Sequence, residues 1–242
     1  MDTDDFKRRG FLSSHLGSVV SFDAGRFAEP FTRCTELSDA ATRALFAYAG
    51  RWADREWAAL GFWARCVSSC QGALLLADRG MEVESMALTR LAYEALFTSL
   101  AVLKDLTVLE RLKQNEAMSR VLAARGMIEG AANMFSAQQL NELQEVIEEN
   151  ASPAFNSIKI KVLATAAGML HLYETVYRSL SLTAAHPTLS SLDHLLEDGA
   201  AGQPSLTLGP SANNLEWTLE LIRMCLDLGM TEVHSRLHRR AI

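Results

Sequence analysis

A charged pair interrupts the most apolar helical stretch of the sequence. Arg90 and Glu94 are four residues apart, about one turn of a helix, and Tyr93 lies beside them. Because a charge removed from water must be paired, such a pair in an apolar setting often belongs to a functional site. The same spacing is typical of a structural ion pair that fixes the orientation of a helix. The sequence favours the structural interpretation and leaves the functional one open.

A second polar group has the same kind of spacing later in the chain. His171, Glu174 and Arg178 share one face of a predicted helix. The first two residues could bind a cation or act as a catalytic dyad, although a solvated surface pair is the simpler interpretation. We predict no metal, because no third or fourth ligand is identifiable. If the two helix faces meet, these residues would join Arg90 and Glu94 in one polar pocket.

A histidine marks the predicted end of that second helix. His186 directly precedes Pro187, and a proline drives the residue before it out of the α region. A histidine held at such a break could cap the helix, or it could project into a pocket as a ligand or an acid–base group. The sequence leaves both roles open.

The common catalytic and cofactor motifs are missing from the sequence. It contains no phosphate-binding GxxxxGK[ST] loop, no GxGxxG, no GxSxG and no HExxH. Helical di-iron proteins use a glutamate with a histidine three residues later, and no glutamate here has that neighbour. We therefore predict no cofactor.

The charge balance argues against broad binding to nucleic acid. The 242 residues include 23 Lys and Arg against 29 Asp and Glu, a formal net charge of −6. The summed field therefore repels a phosphate backbone. Uninterrupted apolar runs fall far short of the ~20 residues that cross a bilayer as a helix, so we expect no membrane span.

The number and spacing of the cysteines indicate the cellular compartment in which the protein is expected. The 4 cysteines are too few for a disulfide scaffold. Cys66 and Cys70 are one helical turn apart and are expected to act as small core hydrophobic residues. Reduced thiols and a cytoplasmic protein follow from this interpretation.

The elements that must position these residues are all predicted to be helices. No proline lies between Pro30 and Pro153, and no segment alternates apolar and polar residues between hairpin turns. We predict an all-α, multi-helix bundle of about six to eight helices, mostly antiparallel. The predicted helices span 54–78, 82–104, 108–125, 136–150, 160–184, 188–198 and 211–240, and a loop spans 199–209.

We expect one helical domain over residues 1–242. Residues 54–196 form its core, while an N-terminal arm (1–50) and the C-terminal helix (211–240) pack on that core. The C-terminal helix carries apolar residues at heptad-like spacing. Such a stripe could also pair two chains, which predicts a homo-oligomer.

Two segments resemble the signatures of a bacterial family, the domain of unknown function 5677 family. Residues 85–96, SMALTRLAYEAL, followed by Leu103-Lys104-Asp105, are similar to its R-x-x-x-E helix. Residues 177–181, YRSLS, followed by His186-Pro187-Thr188 and Leu192, resemble its second signature, in which a serine precedes a histidine at a helix end. The resemblance covers residues 54–196.

This resemblance implies a helical bundle of bacterial origin with no established activity, and it singles out Arg90, Glu94, Ser181 and His186. A competing resemblance is to a helical nuclease superfamily of toxin and phage-defence systems, whose signature is an arginine shortly before a histidine. Arg9 and His15 have that spacing, whereas Arg178 and His186 are too far apart.

We therefore predict a binding protein that takes a small-molecule ligand or a protein partner at a polar site in the bundle. The predicted site comprises Arg90, Tyr93, Glu94, His171, Glu174, Arg178, Ser181 and His186. One alternative is a nuclease-like or metal-assisted enzyme that uses His186 with Arg178 or Glu174. The other is a structural homodimerisation module, and the missing motifs favour a protein without catalysis.

Overall fold

The structure, a computed structural model, describes residues 9–13, 24–48, 53–150, 157–185, 188–198, 203–206 and 208–237. Six helices come first in chain order: α1 (Ala24–Phe46), α2 (Asp54–Asp78), α3 (Glu82–Lys104), α4 (Val108–Ala131), α5 (Ala137–Glu149) and α6 (Ile160–Ala167). Short 3-10 helices occur at Gly10–Leu12 and Ala132–Met134.

Helix α7 occupies residues 170–185 and mixes two kinds of helical turn. α-Helical turns at Leu170–Leu172 and Arg178–Leu180 alternate with π-helical turns at Tyr173–Tyr177 and Ser181–Ala185. A 3-10 helix (Leu189–Leu195) then leads into an antiparallel ribbon of β1 (Leu196–Asp198) and β2 (Pro204–Leu206). The last helix, α8 (Leu215–Leu228), continues as a π-helical segment, Gly229–His234.

The predicted all-α fold is confirmed, and α3 is its central helix. α2 packs along α3, while α6, α7 and α8 cover its other sides. Leu96, Phe97 and Leu100 of α3 are fully buried. By length and composition α3 could cross a membrane, but 72% of its most apolar stretch is buried inside the protein, as in the core helix of a bundle.

Local sequence signals explain why several helices end where they were predicted to end. Gly80 adopts a φ of 69° directly after α2, a conformation that glycine accepts without strain. At the start of α5, Ser136 and Gln139 form the predicted capping box, in which each side chain accepts a hydrogen bond from the backbone of the other residue. The glycine and the capping box each involve residues within one helical turn, so both can be recognised in the sequence.

Helix α1 lies within the stretch predicted to be an N-terminal arm. Pro30 falls inside it and, with the polar residues around it, obscured the helical pattern. Phe27, Cys34 and Ala41, each seven residues apart, are buried on one face. The helix packs against α8 and α2, and the Cys34 thiol donates to the Leu219 carbonyl at 3.2 Å.

The single helix predicted over 160–184 is two helices. Gly168 has a φ of 75°, which breaks the α-helix. The Gly168 N–H donates to the Thr165 carbonyl and the Met169 N–H to the Ala164 carbonyl, so α6 ends in a Schellman motif. The Lys104 ammonium of α3 also donates to the Ala167 carbonyl. The apolar periodicity continues through this glycine and concealed the break.

The segment after α7 also differs from its prediction. The expected short helix at 188–198 is a 3-10 helix followed by strand β1, and the expected loop at 199–209 contains strand β2. Leu196 lies opposite Leu206 in the ribbon. Strands of three residues are too short to show an alternating pattern, so no periodicity in the sequence predicts them.

The apolar stripe of the C-terminal helix lies inside the chain. Its members Leu215, Leu219, Ile222, Leu226, Val233 and Leu237 are all buried. α8 packs against α1, α2 and α3, and the segment after it packs against α2 and α3, all within the same chain. The stripe therefore does not offer the surface for pairing two chains that its spacing suggested.

Gly229 permits the closest approach between this helix and α2. A Cβ atom added at Gly229 would lie 1.9 Å from the Trp63 ring, a distance that no real contact allows. We predict that Gly229→Ala lowers the free energy of unfolding by about 3 kcal/mol, since the overpacked ring must move. Urea denaturation followed by circular dichroism measures this change.

Gly61→Ala is the matched control for that substitution. Gly61 lies in α2 and is exposed, and an added Cβ would meet nothing within 4 Å. Alanine there should stabilise the helix by up to about 1 kcal/mol. If the two substitutions have the same effect, Gly229 does not hold α8 against Trp63.

Candidate functional site

Four side chains form a closed hydrogen-bonded network between α3 and α7. The Arg90 Nη2 lies 2.8 Å from the Glu94 Oε1 and donates to the Tyr177 hydroxyl at 2.7 Å. The Arg90 Nε donates to the Ser181 Oγ at 2.8 Å. The Tyr177 hydroxyl donates to the Glu94 Oε1 at 2.6 Å. We call Arg90, Glu94, Tyr177 and Ser181 the Arg90 network.

The Arg90 network is largely removed from water. The exposed fractions of the Arg90 and Glu94 side chains are 16% and 24%. The Arg90 guanidinium also lies over the Tyr177 ring, 4.8 Å from its centroid, in a cation–π contact. Charge-assisted hydrogen bonds of this kind are stronger than neutral ones. The network therefore fixes how α7 lies on α3.

Helical spacing explains why these four residues meet. Arg90 and Glu94 are one turn apart on α3, and Tyr177 and Ser181 are one turn apart on α7. The Ser181 Oγ also donates to the Tyr177 carbonyl at 2.8 Å, which fixes the hydroxyl in place. Tyr177 ends one π-helical turn and Ser181 begins the next. Such π-helical turns occur frequently at functional sites.

Tyr177 acts in this network as a protonated donor. Its burial, together with the hydrogen bond to the Glu94 carboxylate, raises the pKa of the Tyr177 hydroxyl from 10.0 to about 12. The hydroxyl therefore keeps its proton over the physiological range. It bridges the Arg90 cation and the Glu94 anion without changing charge.

The structure does not pair His171 with Glu174 as a dyad, the less favoured of the two interpretations of their spacing. Glu174 instead accepts a hydrogen bond from Lys161 at 2.6 Å and one from Arg178 at 2.8 Å. These two cations lower the pKa of the Glu174 carboxyl, so it stays ionised. His171 is exposed, and its carbonyl accepts a hydrogen bond from the Thr175 hydroxyl. We call Lys161, Glu174 and Arg178 the Glu174 cluster.

Tyr93 was predicted in the site but lies elsewhere. It is fully buried and its hydroxyl donates to the Leu221 carbonyl of α8 at 3.0 Å. Burial raises the pKa of the Tyr93 hydroxyl far above its ordinary value. A residue three positions after Arg90 points to a different side of a helix from Glu94, and here that side faces α8. Tyr177, which sequence reasoning did not select, takes its place.

Tyr177 and Ser181 of the Arg90 network, together with Glu174 and Arg178 of the Glu174 cluster, border one open surface depression of about 640 Å³. It is lined by Tyr173, Glu174, Tyr177, Arg178, Ser179, Ser181 and Leu182. The two predicted polar groups thus lie side by side along α7. His186 and His15, on which the catalytic alternatives depend, lie outside the described residues.

A second group of reactive side chains lies in the core between α2 and α8. The Sγ atoms of Cys66, Cys70 and Cys225 lie within 4.8 Å of one another, and all three residues are buried. We call these three residues the thiol cluster. Among the described His, Cys, Asp and Glu side chains, these three cysteines have ligand atoms close enough together to hold one metal ion.

Burial and mutual hydrogen bonding set the acidity of the thiol cluster. Burial raises the pKa values of the Cys66 and Cys225 thiols well above 9.0. Hydrogen bonds from these two thiols lower the pKa of Cys70 to about 5. The predicted burial of Cys66 and Cys70 is confirmed. Their meeting with Cys225 had no sequence signal, because it depends on how α8 packs.

The helix packing and the Arg90 network define an all-α bundle protein with a partly buried polar site. The chain belongs to DUF5677, a family of unknown function, whose sequence model matches residues 56–203. The resemblance of residues 85–96 and 177–181 to this family is thereby confirmed. No curated protein and no solved structure matches the chain.

We predict that Arg90→Ala lowers the free energy of unfolding by about 2 kcal/mol. The substitution leaves the Glu94 carboxylate and the Tyr177 hydroxyl without their cationic partner in a largely buried setting. Urea denaturation of both proteins at neutral pH measures the difference.

Arg120→Ala provides the control with the same helical spacing. Arg120 pairs with Glu116 one turn away on α4, and both side chains are more than 60% exposed. Such a surface pair contributes little, so the change should stay within about 0.5 kcal/mol. Equal losses in the two variants would show that the Arg90 network is only a surface ion pair.

Proposed function

We propose that this protein is a non-catalytic binding protein that takes a small organic anion at the depression along α7. The observation that carries this proposal is Arg178, which lines the depression with an exposed guanidinium beside Tyr177 and Ser181 of the Arg90 network. Within the described part of the chain, the Arg178 Nη1 donates to Glu174 and the Arg178 Nη2 has no hydrogen-bond partner. Guanidinium groups with free donors suit carboxylate and phosphate ligands.

The local charge supports an anion rather than a cation. The two polar groups contain three cations, Arg90, Lys161 and Arg178, and two anions, Glu94 and Glu174, so one positive charge is in excess. The whole chain carries −6 and does not attract anions from a distance. Recognition would therefore depend on short-range hydrogen bonds.

The shape and the aromatic wall of the depression suit a small ligand. Its volume of about 640 Å³ lies within the usual range for small-molecule sites. The stacked Tyr173 and Tyr177 rings, with centroids 5.2 Å apart, supply an aromatic surface, and Arg178 supplies hydrogen-bond donors. An organic anion with a planar apolar part would use both kinds of contact.

The described chemistry favours binding over catalysis. The Ser181 Oγ donates to a backbone carbonyl and accepts from the Arg90 guanidinium, so no base in the network activates it. Glu174 is held as an anion by two cations and is a weak base. The four cysteines are free and buried, which supports our proposal of a cytoplasmic protein.

Titration with benzoate, succinate and inorganic phosphate, followed by two-dimensional NMR of the labelled protein, tests this proposal. We expect benzoate to shift resonances of Tyr173, Ser179 and Leu182 in a saturable way. Arg178→Gln should weaken that binding about tenfold, since it removes a charge-assisted hydrogen bond. Arg120→Gln should leave it unchanged. Absence of saturable shifts with all three anions, or equal binding by Arg178→Gln, would contradict the proposed site.

A second candidate function is self-association. The homo-oligomer predicted from the sequence is kept, but its interface is assigned to a surface other than the C-terminal helix. Five leucines on the 3-10 helix, the ribbon and the segment after it are exposed: Leu189, Leu192, Leu196, Leu206 and Leu208. Leu196 and Leu206 lie opposite each other in the ribbon, so the apolar surface is continuous there. Contiguous apolar surface of this kind is typical of protein interfaces.

We expect sedimentation at micromolar concentration to show a dimer that Leu206→Asp converts to a monomer. A charge at a packed apolar interface has no partner and loses its water, so it opposes association. Leu122→Asp, at an exposed leucine of α4, is the control and should leave the dimer intact. A wild-type monomer would overturn this second candidate.

A further inference from the structure

The thiol cluster has the dimensions of a metal site. The three Sγ atoms lie within 4.8 Å of one another, and the Cys66 and Cys225 Sγ atoms are 3.5 Å apart. Thiolate ligands bind first-row metals at about 2.3 Å, so three sulfurs around one ion lie about 4 Å from one another. Small side-chain movements would therefore place all three sulfurs around a shared ion.

We propose that the thiol cluster binds one Cu(I) ion. Among the described residues, the group contains three Cys sulfurs and no His, Asp or Glu side chain, a soft donor set that favours Cu(I) among the cellular cations. A structural Zn(II) site is closed by a fourth ligand. Here the residues are fully buried, so water does not supply that ligand. This site lies on the α8 side of α3, apart from the proposed anion site.

The fourth cysteine of the chain lies close by but is engaged elsewhere. Cys34 of α1 is buried near Cys70, and its thiol donates to the Leu219 carbonyl. It is outside the group of sulfur atoms that lie within 4.8 Å of one another. The ligand set is therefore three sulfurs, and Cys34 is a control of the same chemistry, burial and neighbourhood.

The ion would join two elements that are distant in sequence. Cys66 and Cys70 are one turn apart on α2, whereas Cys225 lies on α8. The ion enters as Cu(I) and displaces thiol protons to solvent, so no electron is transferred. Because the sulfurs are fully buried, we expect the ion to be incorporated as the chain folds and to be retained afterwards.

A tryptophan next to the thiol cluster reports on its occupancy. Trp63 lies one turn before Cys66 on α2, and its ring packs against Gly229, one turn after Cys225. Its buried indole N–H has no hydrogen-bond partner in the described structure. Cu(I) bound to the cluster should therefore change the Trp63 fluorescence.

The test is anaerobic refolding of the full chain from urea with one equivalent of Cu(I), followed by dialysis against the Cu(I) chelator bicinchoninate. We expect the wild type to retain one Cu(I) per chain, with thiolate-to-copper charge-transfer absorption in the ultraviolet and a higher melting temperature. The double variant with Cys70→Ala and Cys225→Ala leaves one sulfur ligand and should lose the ion to the chelator, since a single substitution would leave the two thiolates that Cu(I) accepts. Cys34→Ala should retain the ion.

Circular dichroism of each metal-free variant checks folding, and the pair Cys66→Ala and Cys225→Ala replaces the first double variant if that variant is unfolded. Loss of copper from the wild type during dialysis would overturn the proposal, as would equal retention by the Cys34 and cluster variants. Refolding with Zn(II) in place of Cu(I) tests the identity of the ion. Retention of zinc but not copper would contradict the assignment to Cu(I).

Discussion

The largely buried charge of Arg90 on the central helix is the constraint on which the rest of the structure depends. An arginine side chain that is only 16% exposed requires anionic and hydrogen-bonding partners in fixed positions. Glu94 supplies the anion from the same helix, and Tyr177 and Ser181 supply the hydroxyl groups from α7. The orientation of α7, and with it the depression on its outer face, follows from meeting this requirement.

The other sides of α3 are held by apolar packing and by small hydroxyl groups. The Ser85 Oγ donates to the Ala73 carbonyl and the Ser99 Oγ to the Ala59 carbonyl, so two short hydrogen bonds fix α2 along α3. The Tyr93 hydroxyl likewise donates a hydrogen bond from α3 to a backbone carbonyl of α8, that of Leu221. These bonds bring α2 and α8 together where the three sulfurs meet. The central helix thus separates a polar, surface-connected site from a buried site of soft ligands.

Sequence reasoning succeeded where the signal is local or periodic. The bounds of α2 and α3 and the capping box of α5 were predicted, because the apolar pattern and the end signals lie within a few residues. Sequence reasoning failed at Pro30, because a proline usually ends or kinks a helix but here lies inside α1. It also failed at Gly168, where a single glycine ends α6 although the apolar pattern continues.

Some residues of the candidate sites could be found from the sequence, and others could not. Arg90 and Glu94 stood out because charges in an apolar helix are rare. Their partners on α7 depend on the register between two helices, which no short-range pattern encodes, and Tyr93 was chosen over Tyr177 for that reason. Cys225 meets Cys66 only through the packing of α8 on α2, across 159 residues of sequence.

A double-mutant cycle with Arg90→Ala and Tyr177→Phe tests most directly whether the Arg90 network holds α7 on α3. The free energies of unfolding of the wild type, both single variants and the double variant give the coupling between the two side chains. The structure predicts a coupling of about 1–2 kcal/mol, because one charge-assisted hydrogen bond joins the two side chains, while the Phe ring keeps the cation–π contact. A coupling within about 0.3 kcal/mol of zero would show that the bond between Arg90 and Tyr177 does not hold α7 on α3.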